Sequence, residues 1–112
     1  MKLNEIINAC GLTVATTKPE IDRDVSGGYA SDLLSDVMAN ARDGYIWVTM
    51  QTHVNIVAVA VLKNLSGIII VNGRTPDEQT LAKAEEEGIP LMVTSLTSFE
   101  IVGRLYRLGV QG

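Results

Sequence analysis

The sequence has a single cysteine, Cys10, among 112 residues. One thiol makes neither an internal disulfide nor a Cys-x-x-Cys metal site, so nothing marks an oxidising compartment and a reducing cytoplasm is the expected setting. Basic residues are few as well, with nine Lys and Arg against thirteen Asp and Glu and a net charge of -4. They are scattered, whereas a nucleic-acid backbone is held by clustered Lys and Arg, so nucleic acid is not an expected partner. Nothing approaches the ~18 consecutive apolar residues of a membrane-spanning helix. Met1–Cys10, which contains Asn4 and Glu5, does not read as a secretory leader, and no membrane partner is expected.

Several catalytic machineries are missing in the same way. There is no P-loop, the glycine-rich turn followed by Lys and Ser or Thr that cradles phosphates, and hence no kinase chemistry of that kind. The lone histidine, His53, is far in sequence from the lone cysteine and forms no nucleophile pair with it. No His-x-x-x-His or Cys-x-x-Cys spacing offers a metal site. Asp22, Asp24 and Asp32 lack EF-hand spacing and read as a solvated loop and helix start. No cofactor is expected and no catalytic residue is assigned.

What is present is a chain rich in apolar residues, at 46%, long enough to bury roughly two thirds of its unfolded surface in one domain over residues 1–112. Leu3, Ile6, Ile7 and Cys10 fall at helical spacing before Gly11, which predicts an opening helix, and Leu12–Ala15 reads as a strand. Thr16–Gly28 reads as a loop, with or without a short edge strand, containing Pro19 and the pair Gly27-Gly28. Tyr29–Ala41 carries Leu33, Leu34, Val37, Met38 and Ala41 on one stripe, which predicts a helix with Ser31 as a cap.

From Gly44 a strand, a polar turn and a helix recur three times. The first unit is Tyr45–Met50, Gln51-Thr52 and His53–Leu65, whose helix is apolar enough to predict near-complete burial. The second is Gly67–Val71, Asn72-Gly73-Arg74 and a helix over Pro76–Glu87 ended by Gly88. The third is Pro90–Thr94, Ser95-Leu96 and a helix over Ser98–Leu108 ended by Gly109. Thr75-Pro76-Asp77-Glu78 and Thr97-Ser98-Phe99-Glu100 both have the form of capping boxes. Continuous apolar strands such as Ile68–Val71 suit a mainly parallel sheet covered on both faces, so the expected fold is a three-layer α/β/α sandwich.

In such a sheet ligands bind outside the carboxyl ends of the strands, where helix N-termini also point. That rule selects Thr49, Gln51, Thr52 and His53, then Asn72, Gly73 and Arg74, then Thr94, Ser95 and Thr97. This polar rim has one full positive charge, Arg74, and suits a phosphate, a nucleotide or a carboxylate. Thr52, Thr75 and Thr97 are also explained as helix caps, and Asn72-Gly73 as a tight turn. His53, in the first turn of a helix, is expected to be neutral and hydrogen-bonding. Gly27 and Gly28 are candidates for loop contact with a ligand, since glycine lets backbone approach closely.

The residues Val25-Ser26-Gly27-Gly28-Tyr29, Ser31–Ala39, Gln51-Thr52-His53-Val54-Asn55, Gly67–Gly73 and Glu85–Leu91 together resemble the DRTGG domain family over nearly the whole chain. By position the naming Asp-Arg-Thr cluster falls near Thr52–Asn55, where this sequence has Gln-Thr-His-x-Asn, and only Gly73 remains of the Gly-Gly pair. The resemblance implies an α/β/α domain similar to the N-terminal domain of HPr kinase/phosphorylase and to modules that accompany CBS domains. In those settings the domain is regulatory or dimer-forming rather than catalytic. The expectation is therefore a non-catalytic regulatory module, a homodimer, that takes a nucleotide or small anionic metabolite at the strand ends. The alternative is an adaptor that binds no small molecule and docks on a partner enzyme or sensor protein, for which Tyr29, Trp47, Phe99 and Tyr106 are the candidate contact residues.

Overall fold

A computed structural model describes all 112 residues, and in it the expected elements appear with several boundaries moved. They run α1 (Leu3–Cys10), β1 (Thr13–Val14), β2 (Gly27–Ala30), α2 (Leu34–Asn40), β3 (Tyr45–Thr49), α3 (Asn55–Leu62), β4 (Gly67–Ile70), α4 (Glu78–Glu87), β5 (Leu91–Val93) and α5 (Ser98–Arg107). The sheet order is β1-β5-β4-β3-β2, with β2 to β5 parallel and β1 antiparallel on β5. The expected three-layer, mainly parallel sandwich is therefore what the chain forms.

The layering follows from the topology. From β2 to β5 each crossover steps to the neighbouring strand in the same direction, and right-handed crossovers then place α2, α3 and α4 on one face. Trp47, Ile68, Ile70 and Leu91 point into that face, against Val37, Ile56, Val57 and Ala84. The alternate residues Ile46, Val48, Ile69 and Met92 point the other way, against Leu3 and Ile6 of α1 and Ile101 and Leu105 of α5.

The clearest departure from the sequence reading lies at Tyr29–Ala41. Gly27, Gly28, Tyr29 and Ala30 are not a loop and a helix entry but β2, paired in parallel with Tyr45, Ile46, Trp47 and Val48. The helix begins only at Leu34, and the Ser31 hydroxyl accepts from the Leu33 N–H at 3.2 Å in the turn before it rather than capping it. Gly27 is there because nothing larger fits: a Cβ would lie 2.5 Å from Tyr45 Cε1 and 2.6 Å from the Gln111 carbonyl oxygen. The tail closes on this strand, with the Gly28 N–H donating to that same Gln111 carbonyl at 3.1 Å. The Tyr29 hydroxyl then donates to Asp36 at 2.8 Å, joining β2 to α2. That bond, helped by Ser31 and Asn40, holds the Asp36 carboxyl below its ordinary range.

Two further expectations are corrected. The helix after β3 is not nearly buried: Val61 is 42% and Leu62 72% exposed, because α3 has the sheet beneath it and α2 and α4 beside it but nothing outside. The helix over 78–87 does not start at Pro76, and Asp77 rather than Thr75 occupies the N-cap. At α5 the capping reading holds, since Thr97 Oγ1 accepts from the Glu100 N–H at 3.3 Å. Thr97→Ala is expected to lower stability by about 1 kcal/mol. A urea midpoint unchanged from the parent would show that this bond contributes nothing. Glu85 accepts from the Thr17 N–H at 2.6 Å and ties the long loop to α4.

Candidate functional site

The chain leaves β4 for α4 on one face of the sheet and leaves β5 for α5 on the other, so the two connections diverge between these strands. That divergence opens a crevice at the carboxyl ends, the place where open α/β sheets hold ligands. A cavity of about 430 Å³ lies there, lined by Gly73, Arg74, Thr75 and Pro76 from the turn after β4, by Thr94 and Ser95 after β5, and by Thr13, Ala15, Leu81 and Val93. Arg74 is exposed and belongs to none of the ion pairs. A lining that combines hydroxyls and a guanidinium with Ala15, Pro76, Leu81 and Val93 can hold a molecule that has both anionic and apolar parts.

The residues selected from sequence do not all meet here. Gly73, Arg74, Thr94 and Ser95 do. Thr49 and Gln51 belong instead to a network built by Asp32, whose carboxylate accepts from Thr49 Oγ1 at 2.9 Å and from the Met50 N–H at 2.7 Å. Gln51 Nε2 donates to the Asp32 carbonyl at 2.9 Å, and its own N–H donates to Thr49 Oγ1. Thr52 serves through its carbonyl, which accepts from Thr80 Oγ1 at 2.6 Å and from the Asp77 N–H at 3.2 Å. His53 precedes α3, is exposed, and places Nδ1 3.1 Å from Asp77 Oδ2. Asn72 lies between the groups, its amide against Met50 Sδ. Gly27 and Gly28 sit where β2 begins, at the opposite end of the sheet from this rim.

The backbone of the rim is also less open than three helix N-termini suggest. Asn72 and Gly73 are both left-handed, at φ 63° and 66°, and their N–H groups donate to the Leu96 and Thr94 carbonyls at 2.9 Å each. The N-terminus of α4 carries Asp77 and Glu78, and that of α5 is capped by Thr97. The positive charge present in the cleft is therefore the Arg74 side chain. Asp32, Asp77, Thr13 and Leu81 escaped the sequence reading because their roles depend on which strands and helices become neighbours. Asp32 was visible only as a member of an acidic group, while Asp24 of that group pairs with Lys2 at 3.3 Å at the other end of the sheet.

A family model described as DRTGG domain matches residues 5–108. A comparison with curated proteins gives no sequence match. Among solved structures, the chain is similar to the CBS and DRTGG domains of the regulatory region of Clostridium perfringens pyrophosphatase, a structure complexed with its activator, diadenosine tetraphosphate. The TM-score is 0.75 at 16% identity over 92% of this chain, which is a likeness of fold. The match spans 45% of that chain, so this protein corresponds to less than half of it. No helix here is long and apolar enough to cross a membrane.

Proposed function

Because the chain belongs to the DRTGG domain family, we propose that it is a non-catalytic regulatory module that binds a nucleotide or small anionic metabolite between the ends of β4 and β5 and pairs as a homodimer. The observation that carries the ligand reading is the cavity of about 430 Å³ where the β4 and β5 connections part, with Arg74, free of any ion pair, among its lining residues. Its volume falls within the ~300–1,000 Å³ usual for small-molecule sites. The side chains lining it bind and orient, and the role that suits them is recognition. The similar regulatory region was solved with a nucleotide activator, which makes nucleotides the first ligands to try.

The test is a thermal-shift screen with diadenosine tetraphosphate, adenosine mononucleotides, sugar phosphates and small carboxylates, followed by calorimetric titration of any hit. A ligand at 100 times its dissociation constant stabilises by about 2.7 kcal/mol, which is a shift of many degrees in a domain of this size. Arg74→Ala is expected to weaken binding about tenfold through loss of a charge-assisted hydrogen bond. It should leave the unliganded melting temperature unchanged, since Arg74 is exposed. A hit indifferent to Arg74, Thr94 and Ser95 would overturn this site. Silence across the library would favour the adaptor reading, for which Phe99 at 88% and Leu62 at 72% exposure are the surface evidence.

A further inference from the structure

Helix α5 is amphipathic twice over. Ile101 and Leu105 are buried in the core, yet Phe99, Val102 and Tyr106, at i, i+3 and i+7, are 88%, 39% and 61% exposed. Between them stands Gly103, in the middle of a regular helix. Glycine there is unfavourable relative to alanine, and the fold gives no reason for it, because a Cβ at Gly103 would meet nothing within 4 Å. An interior glycine on an exposed apolar stripe lets another helix come close. The stripe also continues off the helix, across a shallow cavity shared by Val102 and Tyr106 with Tyr29, Ala30 and Val110.

The flank of the stripe identifies the occupant. Glu100 lies in the first turn of α5, and Arg104 and Arg107 in the last, and none of the three takes part in an ion pair. When two helices pack antiparallel about a two-fold axis, the same flank of each faces the other, with N-terminal residues opposite C-terminal ones. We infer that α5 packs against α5 of a second copy of this chain, with the axis passing at Gly103. In that arrangement Phe99 meets the partner's Tyr106, the two Gly103 residues set the close approach, and Glu100 pairs with the partner's Arg107. Both charge pairs form at once, which is the self-complementarity an isologous interface requires. This inference rests on the homodimer reading above and gives it a surface. The apolar outer face of α3, with Val61 and Leu62, has no charges of its own to specify a partner.

Sedimentation velocity across a micromolar concentration series tests it, with a dimer expected for the parent chain. Glu100→Arg and Arg107→Glu are each expected to weaken dimerisation about tenfold, since each opposes like charges twice. The double reversal, E100R with R107E, should restore it. Gly103→Ala should raise the melting temperature and yet weaken association about tenfold, because the methyl group is harmless in the monomer and obstructive between two helices. A role confined to the fold does not separate those two readouts. Leu62→Asp, on the α3 face, should leave the dimer intact. A dimer that withstands all the α5 changes and dissociates on Leu62→Asp overturns the surface and keeps the homodimer reading. A double reversal that does not restore association overturns the antiparallel arrangement, and a monomeric parent chain overturns both.

Discussion

Trp47→Ala is expected to lower the stability of the fold by about 3–5 kcal/mol. Trp47 is fully buried in β3, one of the two inner strands of the parallel set, on the face covered by α2, α3 and α4. It belongs to the core cluster that includes Val37, Ala41, Ile56 and Val57, and its Nε1–H donates to the Ser31 carbonyl at 2.8 Å. Removing a buried tryptophan costs about 3–5 kcal/mol, from lost transfer energy and from the cavity that the surroundings only partly fill. Domains have about 5–15 kcal/mol in total, so this one change takes a large share. It also releases the turn at Ser31, and with it the end of β2 where Asp32 gathers Thr49, Met50 and Gln51. Circular dichroism across a urea series measures the loss, since the variant has no tryptophan to fluoresce. Trp47→Phe separates the two contributions: it keeps most of the packing, drops the hydrogen bond, and is expected to cost far less. An alanine variant within about 0.5 kcal/mol of the parent would contradict the burial described here.

Gly27→Val should destabilise by about 3 kcal/mol, the upper part of the range for overpacking. The first added atom already meets the Tyr45 ring at 2.5 Å and the Gln111 carbonyl at 2.6 Å. The ring can turn aside. The carbonyl cannot move without releasing the Gly28 N–H, which it accepts at 3.1 Å, and loosening Val110 from the core. Valine is otherwise at home in a strand, so its cost measures this approach and not a conflict with secondary structure. If Gly27 lay in an open loop, as the sequence suggests, valine would be tolerated. Equal urea midpoints for the parent and this variant would return the residue to that reading.

The order of elements, most helix spans and the apolar faces were legible because they depend on contacts three or four residues apart and on strand alternation. Thr97 with Glu100 is such a case: of the reciprocal box, the threonine bond to the Glu100 N–H formed. Thr75-Pro76 carries the same local signal, but Asp77 became the cap because its N–H is drawn to the Thr52 carbonyl from another loop. The helix predicted from Leu33, Leu34, Val37 and Met38 forms over Leu34–Asn40 and buries Val37, but Leu33 and Met38 are exposed and the residues before it became a strand. Its extension back to Tyr29 failed because pairing with Tyr45–Val48 satisfies the backbone of residues 27–30 in a way that no neighbouring residue announces.

The candidate site divides along the same line. Sequence alone determined that three strand-turn-helix units would bring Thr, Asn, Arg and Ser to one edge of a parallel sheet, because the carboxyl ends of parallel strands share a side. It determined too that Arg74 would be the only cation among them. Only the tertiary structure decided which of these residues meet. The step from α4 on one face to α5 on the other opened the crevice at Gly73, Arg74, Thr94 and Ser95, while Asp32 and Asp77 drew Thr49, Gln51 and His53 into separate networks. Capping and periodicity are local and can be read along the chain. Strand neighbours, helix faces and the close approach of Gln111 to Gly27 join residues far apart in sequence, and their free energy exists only once the whole sheet has formed.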